Sequence, residues 1–176
     1  GSINASAGGN VTLGNGLVIA LPANAVANAS NNTAYTGTVN VATHFIDPTS
    51  PDMNQTMPGD LRGLNTAGSL KRLTSFSMAA IELTGTSGEL LQMATGKKAT
   101  LTMPIPATIT GSAPATIPLW FFDETKGLWK EEGQATKTGN NYIGEVSHFS
   151  FWNCDVPNSY VQFNCTVKDD AGNPIP

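Results

Sequence analysis

Charge is scarce in this chain. Only 12% of its 176 residues are Asp, Glu, Lys or Arg, and the balance is acidic at −4. Nucleic acid is therefore excluded as a partner, because phosphate binding needs clustered Lys and Arg. The adjacent basic pairs, Lys71-Arg72 and Lys97-Lys98, are too short to form such a patch. Cysteine is nearly absent as well. Cys154 and Cys165 are too few for a disulfide scaffold and lack zinc-ligand spacing. They pair if neighbouring strands carry them, and are otherwise two buried thiols. No apolar run is long enough to span a membrane, and no signal peptide is visible. With two histidines, no Gly-x-Ser-x-Gly elbow and no His-Glu-x-x-His, a hydrolase acting on external substrates is not expected. No cofactor or metal is expected either. Asp47, Asp52 and Asp60 match no calcium loop and read as solvated loop acids.

Helical periodicity is also missing, and strand patterning takes its place. Val11-Thr12-Leu13 and Leu17-Val18-Ile19-Ala20-Leu21 flank Gly14-Asn15-Gly16, which reads as a hairpin turn. Residues 23–29 suit a short helical turn, and a long strand follows from Tyr35 to about Ile46. Residues 47–68, rich in Pro and Gly, read as a structureless rim loop packed by Met53, Met57 and Leu61. Strands resume at 70–84, 89–93 and 98–103, then at 117–123, 128–133 and 142–146. Short strands at regular spacing, separated by turn signals, predict an all-β fold, an antiparallel β-sandwich. Trp120, Trp129 and Trp152 are explained most simply as its core.

The run Val146-Ser147-His148-Phe149-Ser150-Phe151-Trp152 carries the most specific chemistry. Read as a strand, it puts His148 and Ser150 on one face and Phe149 and Phe151 on the other. A Ser hydroxyl needs a base, and His is the side chain that supplies one at neutral pH. Attack of the Ser150 hydroxyl on the Phe149 carbonyl closes a five-membered ring and moves the acyl group from nitrogen to oxygen. Water then cuts the ester, so the chain is its own substrate. Base assistance of about 10²- to 10⁴-fold is not enough alone, so a kinked, firmly held backbone at Phe149–Ser150 is expected. The plainer alternative also stands: two solvent-facing strand residues between core aromatics.

Several stretches resemble a known family. Gly9-Asn10-Val11 through Leu21-Pro22-Ala23-Asn24-Ala25-Val26 is similar to the opening of the domain shared by zona occludens proteins, netrin receptors and ankyrins, the ZU-five domain. The likeness is greatest to the variant in cartilage intermediate layer protein and bacterial surface proteins. Pro118-Leu119-Trp120-Phe121-Phe122-Asp123, Gly127-Leu128-Trp129-Lys130-Glu131-Glu132-Gly133 and the His-Phe-Ser run extend it, in order, over roughly residues 8–157. The resemblance implies a β-sandwich. Some members, including a death-domain scaffold protein, cut themselves between Phe and Ser of a His-Phe-Ser motif; others do not cleave. Carried over by position, the site is His148 as base, Phe149 as acyl donor and Ser150 as nucleophile, a single-turnover reaction at most.

The last residues resemble a different family. Tyr160-Val161-Gln162-Phe163-Asn164-Cys165-Thr166-Val167-Lys168-Asp169 with Gly172-Asn173-Pro174-Ile175 is similar to the first strand and turn of carboxypeptidase-regulatory-like domains, with Cys165 where that pattern often has glycine. The expected organisation is a ZU-five-like sandwich at 1–157, then a linker and the first strand of a truncated second domain at 158–176. The expected setting is extracytoplasmic, at a cell surface or in a periplasm, with a bacterial surface protein as the parent. Expected partners are other domains of the same polypeptide and a cell-surface or extracellular protein or glycan. The rival to self-cleavage is a non-enzymatic adhesion or ligand-binding module.

Overall fold

The computed structural model describes residues 1–159 and 164–174. Its strands are β1 (Ser2–Asn4), β2 (Gly9–Thr12), β3 (Val18–Leu21), β4 (Val26–Asn28), β5 (Thr38–Ile46), β6 (Arg62–Leu64) and β7 (Leu70–Thr84). They continue as β8 (Leu90–Met93), β9 (Ala99–Pro104), β10 (Thr116–Asp123), β11 (Leu128–Thr138), β12 (Asn141–Val146) and β13 (Phe151–Asn158). One turn of helix, α1 (Met53–Thr56), lies between β5 and β6. Hydrogen bonds join ten strands in the order β1-β5-β7-β13-β10-β11-β12-β9-β3-β2, with β4, β6 and β8 attached at the side. Pairing is antiparallel except between β6 and β11.

This sheet doubles back on itself as an antiparallel sandwich, with β10 and β11 joining the layers. Phe76 of β7 meets Tyr142 of β12 edge-on at 6.5 Å. Cys154 Sγ of β13 lies 3.6 Å from Met103 Sδ of β9, and Ser77 Oγ donates to the Pro104 carbonyl at 2.9 Å. Between the layers sits the main core, which includes Leu17, Ile19, Leu83, Leu101, Phe149 and Trp152. A bulge at Phe76, where Cys154 faces Ser77 but Asp155 faces Ser75, shifts the alternation of β7, so that Leu73 and Met78 share a face against a second cluster with Ile46, Trp120 and Trp129. All three tryptophans are buried, as core packing requires.

Residues 47–68 are more ordered than the Pro and Gly content suggests. They contain α1 and β6, and Met53, Met57 and Leu61 do cover the second cluster. β6 approaches Trp120 so closely that a Cβ on Gly63 would lie 2.8 Å from the indole ring. Residues 23–29 form no helix. Val26–Asn28 pairs with Leu91–Met93, because Val26 and Ala27 are buried in the sandwich and a ladder satisfies their backbone groups.

The His-Phe-Ser segment corrects another expectation. Residues 147–150 are a bend, not a strand, and β13 begins only at Phe151. β12 pairs with β9 and β11, whereas β13 pairs with β7 and β10, so the chain changes layers here. A segment crossing about 10 Å between sheets leaves the ladder, and its alternation is lost. Phe149 therefore enters the main core while Phe151 packs against the second cluster.

The two cysteines do not pair. Both are free, Cys154 buried in the core and Cys165 exposed. The strand expected from Tyr160 falls partly on residues 160–163, which lie outside the described residues, as do residues 175–176. Beyond them, Lys168 bridges Pro174 around a turn in which the Asp169 carboxylate accepts from the Ala171 and Asn173 amides.

Candidate functional site

A bend that leaves the ladder must find other partners for its backbone groups. Here each carbonyl of the tripeptide is held by a different element. Trp152 Nε1 donates to the His148 carbonyl at 3.0 Å. Gln92 Nε2, from β8, donates to the Phe149 carbonyl at 2.9 Å. The Ile81 amide, from β7, donates to the Ser150 carbonyl at 3.0 Å. In addition, the Phe149 amide donates to Gln92 Oε1 at 2.7 Å. Phe149, 5% exposed, fixes the segment from below.

The imidazole of His148 is packed among Phe121, edge-on at 4.6 Å, and Trp152 at 5.0 Å. Its Nε2 lies 3.6 Å from Glu132 Oε2, whose other oxygen accepts from Ser147 Oγ at 2.7 Å. Burial among these rings lowers the His148 pKa below its ordinary 6.5, and Glu132 opposes that shift while Lys130 adds to it. At neutral pH the ring is thus uncharged and able to take a proton.

Ser150 faces elsewhere. Its hydroxyl donates to the Phe151 carbonyl at 3.1 Å and lines an open groove of about 740 Å³ with His44, Leu90, Gln92 and Phe151. The bend thus separates two side chains that a regular strand would have aligned. His148 belongs to the Glu132–Phe121–Trp152 side, and Ser150 to the groove. His44, on β5, lines the same groove as Ser150.

Two residues of this site escape sequence reasoning. Glu132, one of two adjacent acidic residues within β11, is the carboxylate beside His148. Gln92 is separated from Phe149 by 57 positions, and nothing in its local pattern distinguishes it from any strand glutamine. Asp47 accepts from the Thr49 amide and hydroxyl and Asp60 pairs with Arg62, so these loop acids act locally. Among the described residues no three His, Cys, Asp or Glu side chains gather to hold a metal, and no helix is long and apolar enough to cross a membrane.

The chain is similar to cartilage intermediate layer protein 2. The mouse protein is 31% identical over 105 residues, 60% of this chain, and the human protein is 27% identical over 163 residues, 85% of it. The alignments span only 9% and 14% of those two proteins, so the match concerns one portion of much longer chains. No family model and no solved structure matches the chain.

Proposed function

We propose that this chain is an extracytoplasmic β-sandwich module of the ZU-five type, in the variant of cartilage intermediate layer protein, that cuts itself once between Phe149 and Ser150. The observation that carries the reading is the bend itself, whose carbonyls are tied to Trp152, Gln92 and Ile81. That is the firmly held, non-ladder backbone an intramolecular acyl shift needs. In the reaction, the Ser150 hydroxyl has to leave the Phe151 carbonyl and the groove and swing to the His148 side of the bend, where its oxygen bonds to the Phe149 carbonyl carbon as its proton passes to His148. The C–N bond then breaks, the Ser150 nitrogen taking that proton. Water splits the ester into a Phe149 carboxylate and a free Ser150 hydroxyl.

The pieces stay together in this reading. β13 lies between β7 and β10 with Trp152, Asn153, Cys154 and Asp155 buried, so the new end at Ser150 leads straight into a central strand. The sandwich and the likeness to a cartilage layer protein support the extracytoplasmic setting. The relatives are mammalian, so the proposal does not extend to a bacterial surface. Residues 158–176 are proposed as the entry to a second β domain.

Intact mass of freshly purified, denatured protein tests the reading, beside Ser150→Ala and His148→Ala. Fragments 1–149 and 150–176 from the parent alone support it; a single full-length species, stable for days at neutral pH, sinks it. That second outcome favours a non-enzymatic adhesion or ligand-binding module. The observation on its side is that Ser150 Oγ rests on the Phe151 carbonyl.

A further inference from the structure

β7 changes partners along one edge. Its residues 72–80 pair with β13, and Leu83 and Thr84 pair with β8. Between them only the Ile81 amide is bonded, to the Ser150 carbonyl, so the ladder has a gap opposite Phe149. The Gln92 side chain fills that gap as a backbone strand would, one acceptor and one donor against one residue. Because the Phe149 amide is a donor and its carbonyl an acceptor, the pair fixes which end of the Gln92 amide is nitrogen.

We propose that Gln92 is a catalytic residue of the self-cleavage, its Nε2–H stabilising the oxyanion that forms on the Phe149 carbonyl oxygen. This rests on the cleavage reading above. The donor stands 2.9 Å from the oxygen on which charge develops when Ser150 Oγ bonds to the carbonyl carbon. Stabilising donors work best when already aimed toward the place where the oxyanion forms, so that little reorganises during reaction. Gln92 is held for this task on both sides, through its own place in β8 opposite Ala27 and through the Phe149 amide. It is neutral and half-buried, so it donates without bringing a charge of its own into the bend. The groove leads from solvent to Gln92, Phe149 and Ser150, which admits the water that later opens the ester.

The decisive variants are Gln92→Glu and Gln92→Met, assayed for cleavage at neutral pH with and without hydroxylamine, a small nucleophile that traps the ester. Glutamate keeps the acceptor for the Phe149 amide but loses the donor to its carbonyl and sets a negative charge there. Methionine loses both polar contacts at similar length. Losing one oxyanion donor typically slows a reaction about 10²- to 10³-fold. The expected result is a slowing of that order in both variants, with hydroxylamine failing to restore the rate because the ester itself forms slowly. Thermal melts and the parent's sheet signature identify a variant that has misfolded, and Gln92→Glu, the milder change, then carries the test. A parent that cleaves beside a folded Gln92→Glu that cleaves equally fast overturns the role of Gln92 and leaves self-cleavage standing. A parent that stays whole even in hydroxylamine overturns the cleavage reading and this one with it.

Discussion

His148 Nε2 and Glu132 Oε2 stand 3.6 Å apart at the rim of an aromatic pocket, and the pocket and the carboxylate act on the imidazole in opposite senses. Burial against Phe121 and Trp152 disfavours the charged ring; the carboxylate favours it. Burial wins, so the folded pKa lies below 6.5. If His148 is the base, the cleavage rate falls as acid protonates the ring, and the midpoint of that acid limb lies below pH 6.5. Glu132→Gln removes the opposing influence, and the acid limb moves to lower pH. A pH–rate profile of both proteins checks this, with the imidazole proton signal followed in Ser150→Ala. A limb that stays put in Glu132→Gln, or moves up, contradicts it. The same shift bears on stability: His148 contributes fully above 6.5, and that contribution is lost as pH falls through its lower folded value.

The cysteines give a test of the fold that is independent of any reaction. Cys154 is buried between the layers, where burial pushes its thiol pKa well up, and Cys165 is exposed. A thiol reagent needs an accessible thiolate. The native protein should therefore take up one equivalent, at Cys165, and the denatured protein two. Peptide mapping after native labelling names the residue. Rapid native modification of Cys154 would mean that the sandwich is open at β13.

A comparison of two tryptophans separates packing from hydrogen bonding in the second cluster. Trp120 and Trp129 are both fully buried. Trp120 Nε1 donates to the Asp155 carbonyl at 3.1 Å, whereas Trp129 Nε1 has no partner. Changing either to Phe removes similar volume, but only Trp120→Phe breaks a bond, and a net bond contributes about 1 kcal/mol. Trp129→Phe also removes a buried donor that is costly to leave alone. Trp120→Phe should thus be the more destabilising by about 1–2 kcal/mol, read from urea midpoints at unchanged slope. Equal losses would show that Trp129 finds a partner after all.

Much of this architecture is legible in the chain because turn residues punctuate it. Gly68, Gly88, Gly96 and Pro104 bracket runs whose expected limits, 70–84, 89–93 and 98–103, fall within a residue of β7, β8 and β9. The hairpin at Gly14-Asn15-Gly16 is equally plain, since Gly16 adopts a φ of +94°. The layer crossing at residues 147–150 is not legible, because period-2 alternation reads the same with or without ladder bonds behind it. The partners of the site fail for the same reason. Gln92 and Glu132 reach the bend across 57 and 16 positions, distances over which the sequence carries no periodic signal.

Asp155 offers the sharpest pH test of the core. It is fully buried in β13, where Ser75 Oγ donates to Asn153 Oδ1 at 2.6 Å and Asn153 Nδ2 donates to Asp155 Oδ2 at 2.7 Å. Its other oxygen, Oδ1, has no partner. Burial pushes its pKa well above 3.8, and the Ser75 hydroxyl only partly opposes that. A carboxyl whose folded pKa is raised contributes stability that is complete below its unfolded value and lost as pH rises through the folded one. The parent should therefore lose stability at this site as pH climbs from 3.8. Asp155→Asn keeps the shape and an acceptor for Asn153 while removing the charge. Its advantage over the parent should grow with pH and then level off above the folded pKa. Subtracting their melting curves between pH 4 and 8 cancels the groups the two proteins share and leaves the Asp155 contribution. Parallel curves over that range would mean the buried carboxylate is better solvated than its two neighbours allow.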